Sequence, residues 1–204
     1  MITIIDYGLG NVLAFANMYR RMDVQVSIGR TPEDIARATK LILPGVGAFD
    51  YAMDSFRQSG MHDVAVERVV RDGVPVLGIC VGMQMMAQGS DEGEREGLGW
   101  VPGRVRKFDV DKLAQRTHLP HMGWNDVTPS RPSTLFQGLE SEARFYFLHS
   151  YYFDCQDEAD AIATAEYGAR FACSVNHANV YGVQFHPEKS HDFGARLLKN
   201  FADI

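Results

Sequence analysis

The chain has 204 residues, 46% of them hydrophobic, enough to bury a substantial core and a size that suits one domain over residues 1–204. Its net charge of −6 gives no reason to expect nucleic-acid binding, and no segment reaches the ~18 consecutive apolar residues that a membrane span needs. Cys80, Cys155 and Cys173 are an odd number of cysteines, which argues against a disulfide scaffold; with no signal-peptide pattern after Met1, a soluble protein of the reducing cytoplasm is expected.

In chain order, Ile2 to Asp6 reads as a strand, Asn11 to Arg21 as a helix and Val24 to Ile28 as a second strand. Thr31-Pro32-Glu33-Asp34 supplies an N-cap, a first-turn proline and early acids, predicting a short helix over Pro32 to Thr39. A strand at Leu41 to Leu43, helices around Asp50 to Phe56 and Met61 to Arg71, and a strand at Val74 to Ile79 follow. This alternation argues for a parallel sheet covered by helices on both faces. Active loops are then expected at the carboxyl ends of the strands.

From Gly103 onward the strands become shorter and more alternating: Arg104 to Phe108, Asn125 to Val127, Phe145 to Leu148, Ala161 to Tyr167, Phe171 to Asn176 and Val180 to Phe185. Asn176-His177-Ala178-Asn179 reads as a hairpin turn, and Phe193 to Phe201 as a closing helix. The expected fold is α/β, with a mixed, mainly parallel central sheet, helices on both faces and an antiparallel extension. There is no linker, internal repeat or low-complexity segment.

Three segments carry chemistry. In Val76-Leu77-Gly78-Ile79-Cys80-Val81-Gly82-Met83-Gln84 an apolar run ends in a thiol just before a helix. That is the layout of a nucleophile elbow, in which small neighbours allow a sharp bend and the helix amino terminus favours the thiolate. A small buried core cysteine is the competing reading. In Gln184-Phe185-His186-Pro187-Glu188-Lys189-Ser190, His186 offers the base a cysteine nucleophile needs. Glu188 offers the group that orients the base, on a turn stiffened by Pro187. Leu43-Pro44-Gly45-Val46-Gly47-Ala48-Phe49 is a strand running into a glycine-rich loop whose amides could turn toward an oxyanion. A phosphate loop is the alternative there, but no Lys-Ser or Lys-Thr follows the glycines. The seven histidines show no His-Glu-x-x-His helix and no paired Cys-x-x-Cys is present, so a catalytic metal is not expected.

Together these segments resemble the class I glutamine amidotransferases. Pro120-His121-Met122-Gly123-Trp124-Asn125, His149-Ser150-Tyr151-Tyr152 and Gln184 to Ser190 narrow the resemblance to the glutaminase subunits of the imidazole glycerol phosphate synthase family. The likeness runs from Asp6-Tyr7-Gly8-Leu9-Gly10-Asn11 to Leu197-Leu198-Lys199-Asn200-Phe201. It implies a catalytic triad of Cys80, His186 and Glu188, and an oxyanion hole formed by Val81 with the Val46–Gly47 loop. It implies glutamine as substrate and no cofactor.

Glutamine is a zwitterion whose ammonium needs an anion; Glu92 is the candidate, with Gln84 in reach, Asp91 as rival and a solvated acidic loop as the alternative. Ser150 and Tyr151 would complete the pocket. The implied partner is a (β/α)₈-barrel cyclase subunit that receives the ammonia, giving a heterodimer whose contacts on this chain would be Asn11, His121, Met122, Trp124, Tyr146 and Lys189. Two other readings stay open: the Phe171-Ala172-Cys173-Ser174-Val175 and Ser190-His191-Asp192-Phe193-Gly194 segments also resemble a branch that supplies ammonia for surface-sugar amidation, and a thiol hydrolase or non-catalytic relative could share the scaffold.

Overall fold

An apolar run with no polar alternation has to be covered on both faces, and Ile2–Ile5 forms strand β1 with all its residues buried. The structure, a computed structural model, describes residues 1–109 and 118–204. β1 pairs in parallel with β2 (Val26–Gly29) on one side and β3 (Lys40–Gly45) on the other, and β3 pairs in parallel with β4 (Val76–Cys80). The crossovers are α1 (Val12–Arg21), α2 (Pro32–Ala36), α3 (Phe49–Gln58) and α4 (His62–Val66), which runs on as a π-helical turn, Glu67–Arg71. Val12, Phe15, Ala16 and Tyr19 form the buried stripe of α1, and Phe49, Ala52, Met53 and Phe56 that of α3, at the spacing of an amphipathic helix.

Thr31 caps α2 as its sequence predicts. Its hydroxyl accepts the Asp34 N–H at 3.3 Å, and the Asp34 carboxylate accepts the Thr31 N–H at 3.1 Å, a reciprocal capping box. The helix ends at Ala36 rather than Thr39, because the chain must turn into β3 at Lys40.

β4 has a second parallel neighbour, β12 (Val180–Val183), with Val183 opposite Ile79. This pairing sets the site. A strand from late in the chain lies beside the strand that carries Cys80, and because the two are parallel their carboxyl ends open on the same edge. β12 stops at Val183, short of the expected Phe185. The Gln184 N–H instead donates to Cys173 O at 2.9 Å, and the His186 N–H to Tyr146 O at 2.8 Å.

Beyond β12 the sheet is antiparallel. β11 (Arg170–His177) joins β12 through the predicted turn, and β10 (Ala161–Glu166) and β7 (Thr128–Pro129) follow outward. β9 (Tyr151–Cys155) pairs with β11 and with β5 (Gly103–Lys107). A separate antiparallel ribbon joins β6 (His121–Asp126) to β8 (Arg144–His149). α5 (Val81–Gln84) follows β4, and α6 (His191–Asp203) closes the chain.

β7 and β9 have no counterpart among the predicted strands, and β6 starts at His121 rather than Asn125. These strands are held by pairing with distant partners rather than by their own patterning. Among the described residues no helix is long and apolar enough to cross a membrane.

Candidate active site

β4 delivers Cys80 to the sheet edge in a conformation that residues with a side chain avoid, φ 55° and ψ −114°. Such a backbone costs about 1–3 kcal/mol and persists only where its surroundings enforce it. The enforcement comes from close approach of α5 to β3. A Cβ on Gly82 would lie 1.9 Å from the Leu43 carbonyl oxygen, and one on Gly45 would lie 2.4 Å from the Gly82 nitrogen. Glycine at both positions lets the helix seat directly on the strand, and the strained turn is what aims the thiol outward.

α5 spans Val81–Gln84, a single turn, so the expected support of the sulfur by a helix dipole is small. Side chains take its place. Gln184 Nε2 lies 3.9 Å from Sγ, and the sulfur also acts on His186 through a hydrogen bond and its charge.

His186 and Glu188 follow β12 on a 3₁₀ turn, Pro187–Lys189. His186 Nδ1 and Glu188 Oε1 are 2.9 Å apart, with the side chains only 5% and 3% exposed. A carboxylate at Nδ1 fixes the tautomer, leaving Nε2 for the thiol. The turn is tied down by Ser190, whose hydroxyl donates to His186 O at 2.6 Å and accepts the Tyr146 N–H at 3.0 Å. Burial works against a charged imidazole here. The hydrogen bonds and charges of Cys80 and Glu188 outweigh it and push His186 up to about 10. The arrangement therefore favours an imidazolium beside the sulfur, the protonation state in which the histidine can later release its proton to a leaving group.

Cys80 and His186 open into a cleft of about 230 Å³ also lined by Val46, Gly47, Val81, Gln84, Glu92, Ser150, Tyr151 and Lys189. The structure thus brings together the expected nucleophile, base, glycine loop and substrate residues. Gly47 sits at φ +87°, a backbone open to glycine and strained for other residues. Glu92 Oε2 accepts the Phe49 N–H at 2.9 Å, so this carboxylate caps the start of α3 at the wall of the cleft. The rival Asp91 is engaged by Arg104 at 3.2 Å and Arg106 at 3.4 Å and does not line the cleft. Both amide hydrogens of Gln84 are committed, to Gln184 Oε1 at 3.0 Å and Tyr151 O at 3.3 Å. Only its carbonyl remains for a ligand. A larger groove of about 790 Å³ along Pro129 to Glu140 has no cysteine or histidine in its walls, so it offers no comparable chemistry.

Of the expected partner contacts, Met122 and Trp124 are 65% and 39% exposed. They lie opposite Leu148 and Tyr146 across the ribbon, and Lys189 Nζ stands 5.5 Å from the Tyr146 ring centroid. Asn11 is exposed beside the small cavity behind Glu188. His121 is a correction. It is 3% exposed and offers no contact surface, because alternation along β6 turns it inward where Met122 and Trp124 turn outward.

Three residues were missed as site components. Gln184 bridges the sulfur and Gln84. Tyr7, inside the Asp6 to Asn11 segment, donates its hydroxyl to Pro44 O at 2.7 Å and so anchors the carboxyl end of β3, which leads into the glycine loop. His149 lines the cleft. The only signal in the sequence was their place in segments already marked by other residues. Among the described residues no group of His, Cys, Asp and Glu is arranged to hold a metal ion.

A thiol, an imidazole with its carboxylate and a glycine loop at one sheet edge are the equipment of acyl transfer. The family model described as "Glutamine amidotransferase class-I" matches residues 3–204, and the chain belongs to that family of enzymes. Among its relatives, the imidazole glycerol phosphate synthase subunit HisH of Bdellovibrio bacteriovorus is 59% identical over 100% of both chains. The HisH subunit of Leptospira interrogans is 48% identical over the same coverage, and the subunit HisH 2 of Pseudomonas aeruginosa 44%.

Solved structures repeat the fold. A glutamine amidotransferase crystal structure superposes with a TM-score of 0.76 at 20% identity, covering 100% of this chain and 99% of that one. A glutamine amidotransferase from Thermotoga maritima gives 0.64 at 18% identity, covering 99% and 82%.

Proposed function

We propose that this chain is the glutaminase subunit of an imidazole glycerol phosphate synthase, one amidotransferase domain over residues 1–204, working in the cytoplasm in histidine biosynthesis. The observation that carries the chemistry is the shared cleft of Cys80, His186 and the Val46–Gly47 loop.

Cys80 Sγ attacks the glutamine side-chain carbonyl carbon while the thiol proton resides on His186 Nε2. The oxyanion that forms is met by the Val81 amide and an amide of the Val46–Gly47 loop. Collapse breaks the C–N bond, and the imidazolium donates its proton to the departing ammonia. Water, deprotonated by the now neutral His186, then hydrolyses the γ-glutamyl thioester and regenerates the thiol with release of glutamate. Glu188 holds the imidazole's tautomer and supports its charge. Glu92 receives the substrate ammonium, and the Ser150–Tyr151 segment with the Gln84 carbonyl completes the site.

Ammonia released into water would be protonated and lost, so an acceptor must cover the cleft. Met122, Trp124, Leu148 and Val46 are exposed apolar side chains, at 65%, 39%, 37% and 41%, of the kind that a protein partner buries. The partner that fits the relatives is a (β/α)₈-barrel cyclase forming a heterodimer with this chain, with Asn11, Tyr146 and Lys189 at the contact.

The test is glutamine hydrolysis with and without the cyclase and its ligand, together with mass spectrometry after a diazo-ketone glutamine analogue. Partner-dependent ammonia release and modification at Cys80 are expected. Labelling at Cys155 or Cys173, or cleavage of peptides, would overturn the reading, and ammonia release driven instead by a surface-sugar amidation partner would reassign the pathway.

A further inference from the structure

His121 and His149 are buried, 3% and 6% exposed, and neither takes part in the proton transfers above. They face each other across the β6–β8 ribbon. His121 Nδ1 lies 2.9 Å from His149 Nε2, His149 Nδ1 lies 2.7 Å from the Tyr151 carbonyl oxygen, and Asn125 Nδ2 lies 3.2 Å from His121 Nε2.

The ends of this chain determine every proton in it. A carbonyl only accepts, so His149 carries its hydrogen on Nδ1 and accepts at Nε2. His121 must then donate from Nδ1 and accept at Nε2. The Asn125 amide supplies that donor, and its orientation is set twice over: Nδ2 also donates to Glu166 O at 2.7 Å, and Oδ1 accepts the Asp126 N–H at 2.9 Å. Burial pushes His121 down to about 4 and His149 down to about 3, so both rings are neutral at pH 7 with one hydrogen each to place. His121 is also clamped between Tyr167 and Phe147, with ring centroids at 4.0 and 4.7 Å, both nearly parallel to it.

The chain ends on a functional group. The Tyr151 carbonyl also accepts from Gln84 at 3.3 Å, and Tyr151, Ser150, Gln84 and His149 all line the cleft beside Cys80. The geometry points to Asn125, His121 and His149 as positioning residues for the glutamine site, a directed run of hydrogen bonds that holds the Ser150–Tyr151 segment in its substrate-binding form. The inference rests on the glutaminase reading and adds to it residues that need not touch glutamine.

The test compares two reagents on the full-length chain. A diazo-ketone glutamine analogue needs the substrate pocket to reach Cys80, whereas iodoacetamide needs only a reactive thiol. His121→Leu removes the donor to His149 and frees that ring to change tautomer. The saturation constant of the analogue should rise about three- to tenfold, the worth of one net hydrogen bond, while iodoacetamide alkylation keeps the wild-type rate. His121→Asn, whose amide nitrogen stands near the original Nδ1, should recover most of the loss.

An unchanged saturation constant in His121→Leu, or an equal loss with both reagents, overturns the proposal and leaves a structural role only. Failure of the analogue to label wild-type Cys80 brings down the glutaminase reading itself, and this inference with it. Nitrogen NMR of the wild-type histidines needs no variant, so it decides the matter even if His121→Leu does not fold. Nδ1–H tautomers at both rings are required, and an Nε2–H tautomer at either refutes the chain.

Discussion

Glu188→Gln isolates the electrostatic part of the proposed Cys80–His186–Glu188 triad, because it keeps the shape of the side chain and removes its charge. The Nδ1 to Oε1 contact is 2.9 Å, and both side chains are at most 5% exposed. A hydrogen bond to a charged group is worth about 1.5–3 kcal/mol against roughly 0.5–1.5 kcal/mol for a neutral one. The Coulomb attraction of two charges centred about 4 Å apart reaches about 4 kcal/mol at an effective dielectric of 20. The imidazolium should therefore lose about 2–4 kcal/mol of support, which is a fall of roughly 30- to 1,000-fold in kcat/KM.

His186 is held up to about 10 and keeps its proton until the pH rises through that value, so without Glu188 the alkaline limb of the rate profile should move to lower pH. Stability should fall as well at neutral pH, because the buried imidazolium loses its counter-charge; the loss is partly offset because Glu188 Oε2 is buried and finds no hydrogen-bond donor among the described residues, so that neutralising it relieves desolvation. The assay is glutamine hydrolysis by the assembled complex from pH 6 to 10, with a thermal melt of the same preparation. A folded Glu188→Gln variant with wild-type kcat/KM and an unmoved alkaline limb would refute the assigned role.

Gly82→Ala would place a methyl 1.9 Å from the Leu43 carbonyl oxygen, and the overpacking should cost at least about 3 kcal/mol in urea unfolding. Gln184→Leu removes the Sγ contact at 3.9 Å and the acceptor for Gln84 at 3.0 Å. It should slow iodoacetamide alkylation of Cys80 and cost about 1–3 kcal/mol for the stranded amide, read by alkylation rate and thermal melt. For acid stability, His121 and His149 stay neutral in the fold down to about 4 and about 3, while an unfolded histidine titrates near ~6.5. Between these limits the unfolded chain binds more protons, so this stability is whole above pH ~6.5 and is lost as the pH falls toward 4. Urea midpoints should drop between pH 7 and pH 4.5, and drop less in His121→Asn.

Much of the fold lies in local signals. The apolar run into Cys80, the flanking glycines, the Thr31 cap and the alternation of strands with helices each sit within a short window, where dihedral preference and hydrophobic period decide the outcome. Where those windows fell short, a distant partner decided. β9 is a strand because β5 and β11 flank it, and nothing within Tyr151–Cys155 announces that pairing. Asp91 and Glu92 are adjacent and chemically alike, and only Arg104 and Arg106, on β5, remove Asp91 from the site.

The sequence by itself determined the chemistry available: a thiol on a sharp turn, an imidazole with a carboxylate after a second strand, and a glycine loop after a third. Tertiary structure alone decided their meeting, since the parallel pairing of β4 with β12 sets both carboxyl ends on one edge. It alone decided which face of β6 looks inward, making His121 a buried member of a hydrogen-bonded chain and Met122 a surface residue. The reason is that a strand's alternation defines two faces without saying which is covered, and burial is settled by what packs against it.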